Sequence, residues 1–261
     1  MEHQIHHRVA QQFGPNAAAY ASSAGHANAA VLEELVALVA PGPRDRLLDI
    51  ATGAGHVALA FAPRVGQAVA LDLTPAMLEQ VRSLASERGL SNVSTVQGRA
   101  ESLPFPDGSF EIVTARLAPH HFADVRAFVR EVHRVLVPGG TFLLVDTTVP
   151  EDDELDAQIN HLELLRDPSH VRNYRASEWR DFLEEAGLAI EHQHVGMHAG
   201  GTRMELSGWM DRIGTPPENR DELLRIFGNP SQALAEALEI RTDGSELTFS
   251  LPELTLKARS A

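Results

Sequence analysis

Residues 49–56, with the sequence Asp-Ile-Ala-Thr-Gly-Ala-Gly-His, constrain the fold more than any other segment. They follow a short apolar run at 46–50 and precede an apolar run typical of a helix. Glycine adopts positive φ and has no side chain, so Gly53 and Gly55 allow a tight turn and a close approach to a ligand. The helix that follows would point free N–H groups at the same ligand. The segment predicts a strand–turn–helix unit with a binding site at its turn.

The rest of the chain alternates in the same way. Strand-like runs occur at 46–50, 68–72, 93–96, 112–115, 141–146, 188–195 and 247–257, and helical periodicity occurs at 29–40, 57–62, 75–88, 125–136 and 177–186. Strands that alternate with helices form right-handed βαβ units and a parallel sheet. We therefore predict an α/β fold, with a Rossmann-like, seven-stranded, mostly parallel sheet and helices on both faces. An N-terminal helical segment and a helical cover before the last strand complete it.

We expect a single domain over residues 1–261, because α/β folds of this length are commonly one domain. Within it, residues 1–41 form an N-terminal helical cap and residues 42–195 form the ligand-binding core. Residues 196–245 form a cover over the site, and residues 246–261 form the last strand of the sheet.

Charge and composition exclude several functions. The formal net charge is −14 at pH 7, which disfavours a nucleic-acid partner. The absence of cysteine excludes thiolate catalysis, disulfides and cysteine-based zinc sites. No apolar run approaches the ~20 residues of a membrane span, and the N-terminus lacks a signal sequence. We expect a cytoplasmic protein without nucleic-acid or membrane partners.

Two acidic residues indicate which ligand the glycine turn binds. Asp72 ends the second predicted strand, where a carboxylate can accept both hydroxyls of a ribose. Residues 53–58 also match a dinucleotide fingerprint, but Asp49 would repel a pyrophosphate and attract the ammonium of a methionine moiety. We favour an adenosyl amino acid. A nicotinamide or flavin cofactor is one alternative, and a turn without a ligand is another.

Segments 47–58, 68–78, 97–113, 116–122 and 135–146 together resemble class I S-adenosylmethionine-dependent methyltransferases of the ubiquinone/menaquinone-methyltransferase-like group. The resemblance covers nearly the whole chain. It is strongest to bacterial methyltransferase-like proteins that share residues 116–122 and 165–172 almost as written, and most of these have no assigned substrate. The resemblance implies S-adenosylmethionine as cofactor and S-adenosylhomocysteine as product.

The resemblance also implies roles for individual residues. The cofactor-binding set is Tyr20, Asp49, Thr52, Gly53, Gly55, Asp72, Leu73, Ala100 and Glu101. The resemblance places Asp49, Gly53 and Gly55 at the methionine end of the cofactor and Asp72 at its ribose. Leu73 and the loop at 100–101 flank the adenine. Tyr20 lies in a segment that closes over the cofactor in similar enzymes.

The chain departs from the family at the adenine loop. Many relatives carry an acid before the alanine, whereas this chain has Arg99, which offers only hydrogen-bond donors. Either the backbone alone binds the adenine, or Arg99 points to solvent.

Catalytic candidates follow the strand that ends near residue 115. They are His121, His120 and Arg116. Adjacent side chains of an extended loop point to opposite sides, so we expect one imidazole to face the substrate, and we favour His121 as general base. The alternative is a histidine that only binds a loop carbonyl. Arg116 could bind a substrate carboxylate or brace the loop.

Arg166, His170 and Trp209 are the predicted substrate-binding residues. A capped helix end with an Asp167–Arg166 pair is the alternative for the first two. Met197, Met204, Trp209, Met210 and Phe227 would form an adaptable apolar pocket wall or ordinary packing. We predict no metal site, because His192, His194 and His198 lack a carboxylate or cysteine at recognisable spacing.

The predicted function is methyl transfer from S-adenosylmethionine to O, N or C of a small, largely apolar molecule. The alternative is a protein of this fold that binds S-adenosylmethionine without transferring methyl, cyclase-like or regulatory. A nicotinamide-dependent oxidoreductase is a third reading. The chain could act alone or as a homodimer.

Overall fold

A sheet of mostly parallel strands organises the computed structural model, which describes residues 2–18, 27–197, 203–244 and 246–261. In chain order the strands of the described residues are β1 (Arg46–Ile50), β2 (Gln67–Asp72), β3 (Val93–Gln97), β4 (Phe110–Arg116), β5 (Leu136–Val149), β6 (Tyr174–Arg175), β7 (Leu188–Met197), β8 (Met204–Glu205), β9 (Arg241–Asp243), β10 (Glu246–Phe249) and β11 (Pro252–Ser260). The central sheet has the order β3-β2-β1-β4-β5-β11-β7, and the short β6 pairs with β5. β11 runs antiparallel to both of its neighbours, and the pairs from β3 to β5 are parallel. The predicted fold class is confirmed.

The C-terminal region differs from the single last strand predicted for 246–261. β10 belongs to a separate three-stranded sheet of order β8-β10-β9. At Ser250 the backbone N–H donates to the carbonyl of Leu238 at 2.8 Å instead of to a strand. This bond interrupts the extended run, and only β11 joins the central sheet.

Helices cover both faces of that sheet. The helices of the described residues are α1 (Glu2–Phe13), α2 (Ala29–Val39), α3 (His56–Phe61), α4 (Pro75–Glu87), α5 (Val125–Val135), α6 (Asp153–Arg166), α7 (Ala176–Glu185), α8 (Leu206–Ile213), α9 (Pro217–Gly228) and α10 (Gln232–Ala237). Neighbouring strand residues belong to different hydrophobic clusters: Leu47 packs with α2 and α3, and Leu48 packs with α5 and α7. This alternation is the period of two expected of strands buried on both faces.

A third hydrophobic cluster joins the helices of the region predicted to cover the site, which we call the cover. It joins Ile159 and Leu162 of α6 to Trp209, Phe227 and Phe249. The predicted boundary at 196 placed α6 in the core, whereas its apolar side packs under α8, α9 and α10. β7 also extends to Met197, beyond that boundary. The cover is therefore built from two separate segments of the chain.

Only some of the residues with good capping side chains cap the helices beside them. Asn28 caps α2 by accepting from the N–H groups of Ala30 and Val31. Thr74 occupies the N-cap of α4 but makes no side-chain capping bond. Ser177 lies inside the first turn of α7, and its hydroxyl donates to Glu151 at 2.5 Å. Across the described ranges, every helix is too short or too polar to cross a membrane.

Candidate active site

The turn between β1 and α3 has the left-handed backbone that its glycines predict. Gly53 has φ +54° and Gly55 has φ +88°. A Cβ at Gly53 would meet nothing within 4 Å, whereas a Cβ at Gly55 would lie 2.9 Å from a methyl group of Val81 in α4. Gly55 is therefore required for helix packing and does not line the pocket, which corrects its predicted role at the methionine end.

Asp49 lies beneath this turn. Its carboxylate is buried and accepts hydrogen bonds from the hydroxyls of Thr52 at 2.5 Å and Thr114 at 2.7 Å, and from the N–H of Ala58 at 3.3 Å. Burial raises the pKa of Asp49 to about 6, although the hydrogen bonds oppose the shift. Asp49 is not among the pocket-lining residues; its hydrogen bond positions Thr52, which does line the pocket.

Asp72 ends β2 and ties the turn to α4. Its Oδ2 accepts the N–H of Gly53 at 2.8 Å, and its Oδ1 accepts the N–H of Thr74 at 2.8 Å. Burial raises the pKa of this carboxyl. A carboxylate has about four lone-pair sites, so each oxygen can still accept a ribose hydroxyl.

A pocket opens at the carboxyl ends of β1, β2 and β4, where ligands of open α/β sheets bind. The predicted residues that line it are Thr52, Gly53, Asp72, Leu73, Ala100, Glu101, Arg116 and His121. Tyr20 lies outside the described residues. The open space at Gly53 and the unused lone pairs of Asp72 fit the sugar and amino-acid parts of S-adenosylmethionine.

Helix α1 closes one side of the pocket with His6, Val9 and Phe13. None of the site residues predicted from the sequence lies on this helix. The signal was present, because these positions are spaced i, i+3 and i+7 and share one helix face. Gln12 on the same helix donates to the carbonyl of Ile213 at 2.5 Å, so α1 also contacts the cover.

The two adjacent histidines do not point apart. They lie in a 3₁₀ turn (Pro119–His121), and their ring centroids are 4.3 Å apart. The prediction of opposite orientations was wrong, because it assumed an extended loop. Within this turn, His120 Nδ1 lies 2.6 Å from Asp146 Oδ1, and the His120 N–H donates to Oδ2 at 3.0 Å. His121 Nδ1 lies 3.0 Å from the carbonyl oxygen of Ser169.

These partners give the two imidazoles opposite pKa shifts. Burial alone would lower the pKa of His120, but the carboxylate of Asp146 outweighs it and raises that pKa. Burial and the neighbouring His120 lower the pKa of His121 to about 3. His121 therefore stays neutral at physiological pH, and its Nδ1–H donates to the Ser169 carbonyl.

The segment 167–172 packs over the histidine pair. The N–H groups of Val171 and Arg172 both donate to the carbonyl of His120, at 2.9 and 3.1 Å. The His170 ring lies 5.7 Å from that of His120, and burial lowers its pKa to about 2. The sequence-predicted residue His170 is thus brought to the catalytic candidates.

Arg166 and Trp209 form a stacked pair at the edge of the cover. The guanidinium of Arg166 lies 4.7 Å from the centre of the Trp209 ring and 3.5 Å from Glu163. The Trp209 side chain is 2% exposed and packs against Phe249. Trp209 was predicted to bind substrate, but it does not line the pocket. Its ring packs against the guanidinium of Arg166 instead.

Two further arginines differ in burial. Arg116 lines the pocket, and burial lowers its pKa against the opposing charges of Glu253 and Asp49. Arg99 is exposed at the pocket rim, which favours the reading in which it points to solvent. In the parts of the chain that the structure describes, no three His, Asp or Glu side chains are arranged to hold a metal. His198 lies outside those parts.

A mostly parallel sheet of this order, with a glycine turn after β1 and a carboxylate at the end of β2, matches the class I methyltransferase fold. A family model described as "Methyltransferase domain" matches residues 48–144. The uncharacterized methyltransferase YcgJ of Bacillus subtilis is 42% identical over 214 residues, covering 81% of this chain and 83% of YcgJ. The crystal structure of YcgJ has a TM-score of 0.81 and 39% identity, and the match covers 88% of this chain and 97% of that chain.

More distant relatives share part of the chain or the fold. The ubiquinone/menaquinone biosynthesis C-methyltransferase UbiE of Shewanella oneidensis is 37% identical over 115 residues, 42% of this chain and 46% of UbiE. The cyclase SpnF shares the fold at a TM-score of 0.66 and 19% identity, with 89% of this chain and 80% of that chain covered. The chain belongs to the class I S-adenosylmethionine-dependent methyltransferase family.

Proposed function

We propose that this protein transfers the methyl group of S-adenosylmethionine to a neutral oxygen or nitrogen of a small, largely apolar molecule. The bound cofactor supplies a methyl already activated by its sulfonium. Thr52, Gly53 and Asp72 would hold its amino-acid and ribose parts, and Leu73, Ala100 and Glu101 its base. The apolar side chains Val9, Phe13, Leu117 and Phe122 in the same pocket support an apolar acceptor.

His120 does not itself line the pocket, but its ring centroid lies 4.3 Å from that of the pocket-lining His121, and the His120–Asp146 pair carries the proposal. A neutral hydroxyl or amine must lose a proton during methylation, and a positioned histidine can accept it. The 2.6 Å contact with Asp146 fixes Nδ1 of His120 as the protonated nitrogen, which leaves the Nε2 lone pair to receive the proton. His121, favoured from the sequence, has its Nδ1–H on a carbonyl and a pKa of about 3, which makes it a weak base. We assign it to positioning, since it contacts both Phe13 and His120.

Cofactor binding is tested by calorimetry with S-adenosylhomocysteine. We expect micromolar affinity, and a loss on the order of 3 kcal/mol in Asp72→Ala, because two charge-assisted hydrogen bonds to the ribose disappear. Thermal unfolding of the variant checks that the turn persists without the bonds from Gly53 and Thr74. NADH at similar concentration should not compete, and tight competition by it would contradict the cofactor assignment.

Methyl transfer is tested with labelled S-adenosylmethionine and a panel of neutral phenols, alcohols and amines of low polarity. Labelled product supports the proposal. Tight cofactor binding with no transfer to any acceptor class would favour the alternative, a cofactor-binding protein of cyclase-like or regulatory type.

A further inference from the structure

A histidine of α1 contacts the loop expected to flank the adenine. His6 Nε2 lies 3.2 Å from both carboxylate oxygens of Glu101. Glu101 also accepts the N–H of Ala123 at 2.9 Å, so its carboxylate is fixed in position. The side chains of His6 and Glu101 are 12% and 11% exposed, and both line the pocket.

This contact determines which nitrogen of His6 carries the proton. A carboxylate only accepts hydrogen bonds, so in the neutral imidazole of His6 the proton lies on Nε2 and the lone pair on Nδ1. Nδ1 is buried and has no hydrogen-bond partner among the described residues. An unsatisfied buried acceptor is costly, and one beside a ligand pocket indicates a missing donor.

Arg99, which directly precedes Ala100 in the loop expected to flank the adenine, is exposed at the pocket rim and offers donors only. The amino group of an adenine needs an acceptor. His6 Nδ1 is an acceptor in the same pocket, and it comes from a different element.

We propose that His6 Nδ1 accepts a hydrogen bond from the 6-amino group of the adenine, a bond that the donor-only side chain of Arg99 cannot accept. The inference rests on the proposed use of an adenosyl cofactor. Since Nδ1 is buried while α1 is closed, the bond forms when the base enters and α1 settles over it. Helix α1 thereby contributes to recognition of the base in addition to covering it.

The test compares two ligands that differ only at the 6-amino group. One is S-adenosylhomocysteine, and the other is its analogue with hydrogen in place of that amino group, which keeps the ring nitrogens as acceptors. Calorimetry at pH 8 on the full chain measures both dissociation constants. We expect the wild-type protein to bind the amino ligand about five- to tenfold more tightly, the effect of one net hydrogen bond. In His6→Phe this ratio should fall close to one.

Two variants serve as controls. His7→Phe makes the same change at the neighbouring, exposed position of α1 and should keep the wild-type ratio. His6→Gln offers an amide oxygen and should restore part of the ratio lost in His6→Phe. Thermal unfolding of each variant verifies that α1 remains packed.

The remaining outcomes are equally decisive. Equal binding of both ligands by the wild-type protein, or an unchanged ratio in His6→Phe, overturns the proposal while leaving the cofactor assignment intact. A parallel loss of affinity for both ligands in His6→Phe assigns His6 to closing α1 and also overturns it. Failure of the wild-type protein to bind S-adenosylhomocysteine overturns the proposed function together with this inference.

Discussion

Two imidazoles next to each other in the sequence have different chemical capacities in this site. Asp146 holds His120 and favours its protonated form, while burial keeps His121 neutral. The difference comes from Asp146, a residue near the end of β5 whose pairing with His120 no sequence pattern indicates. Sequence reasoning favoured His121 as the base, whereas our proposal assigns that role to His120, because the partner of each ring depends on the tertiary structure.

The pH dependence of methyl transfer should identify the base. A base must be unprotonated to act, and the pKa of His120 is raised, so the rate on a neutral acceptor should fall as pH decreases through a value above ~6.5. His121, with a pKa of about 3, would give a flat profile over that range. Steady-state rates between pH 5.5 and 9 measure the difference.

Substitution separates the same two residues. His120→Asn should lower turnover by roughly 10²–10⁴-fold and remove the pH dependence, with affinity for S-adenosylhomocysteine nearly unchanged. His121→Asn should keep the wild-type shape of the profile at reduced turnover. A normal rate in His120→Asn would exclude it as the base.

At the scale of elements, the strand–turn–helix around Gly53 and Gly55 could be predicted almost completely. Strand and helix periodicity and the glycine pair are local signals, and the structure has them at the predicted places. The reason for each glycine is not local. Only the position of α4 shows that Gly55 is required by Val81, and that Gly53 is the residue left open to the pocket.

The two glycines should therefore differ in their effect on stability. Gly53→Ala should cost about 1–2 kcal/mol, the strain of a left-handed non-glycine residue. Gly55→Ala has the same strain plus a contact of 2.9 Å with Val81, and overpacking typically costs about 1–3 kcal/mol more. Urea unfolding measures both values.

Val81→Ala provides the control for this interpretation. In the double variant with Gly55→Ala, the loss of stability should be smaller than the sum of the two single losses, because the smaller side chain relieves the contact. Additive losses would place the strain of Gly55→Ala elsewhere.

The sequence did not predict that α6 belongs to the cover. The amphipathic pattern of α6 does not indicate which apolar surface the helix packs against. Because α6 precedes β7 in the chain, we predicted that it packs against the core. Its contacts with Trp209 and Phe227 arise because the segment after β7 returns over the same edge of the sheet. Within α6, Arg166 pairs with Glu163 one helical turn earlier.

For the whole molecule, buried histidines make acid stability a test of the structure. The pKa of His170 is lowered to about 2, so between the reference value near 6.5 and that value the unfolded chain binds a proton that the folded chain does not. This group stabilises the fold above pH ~6.5, and its contribution is lost as the pH falls. At pH 5 the loss is about 2 kcal/mol.

The measurement is the change in unfolding free energy between pH 7.5 and pH 5, by urea denaturation. His170→Gln should show a smaller loss on acidification than the wild-type protein, because the group that titrates is removed. His7→Gln, at an exposed position, should lose as much unfolding free energy on acidification as the wild-type protein does. An identical loss in all three proteins would contradict the lowered pKa of His170.

The position of β11 has a consequence for biosynthesis. Among the described residues, β7 forms its sheet pairing with β11 alone, and the whole second segment of the cover is translated between these two strands. While a ribosome synthesises that segment, β5 and β7 are already complete, but the strand that pairs with both of them is still missing. The edges of β5 and β7 that later face β11 are therefore unpaired. An unpaired strand edge is prone to intermolecular pairing, and non-local pairing is slow to form. Nascent chains arrested before residue 252 should therefore recruit chaperones, and release of the last strand should end that dependence.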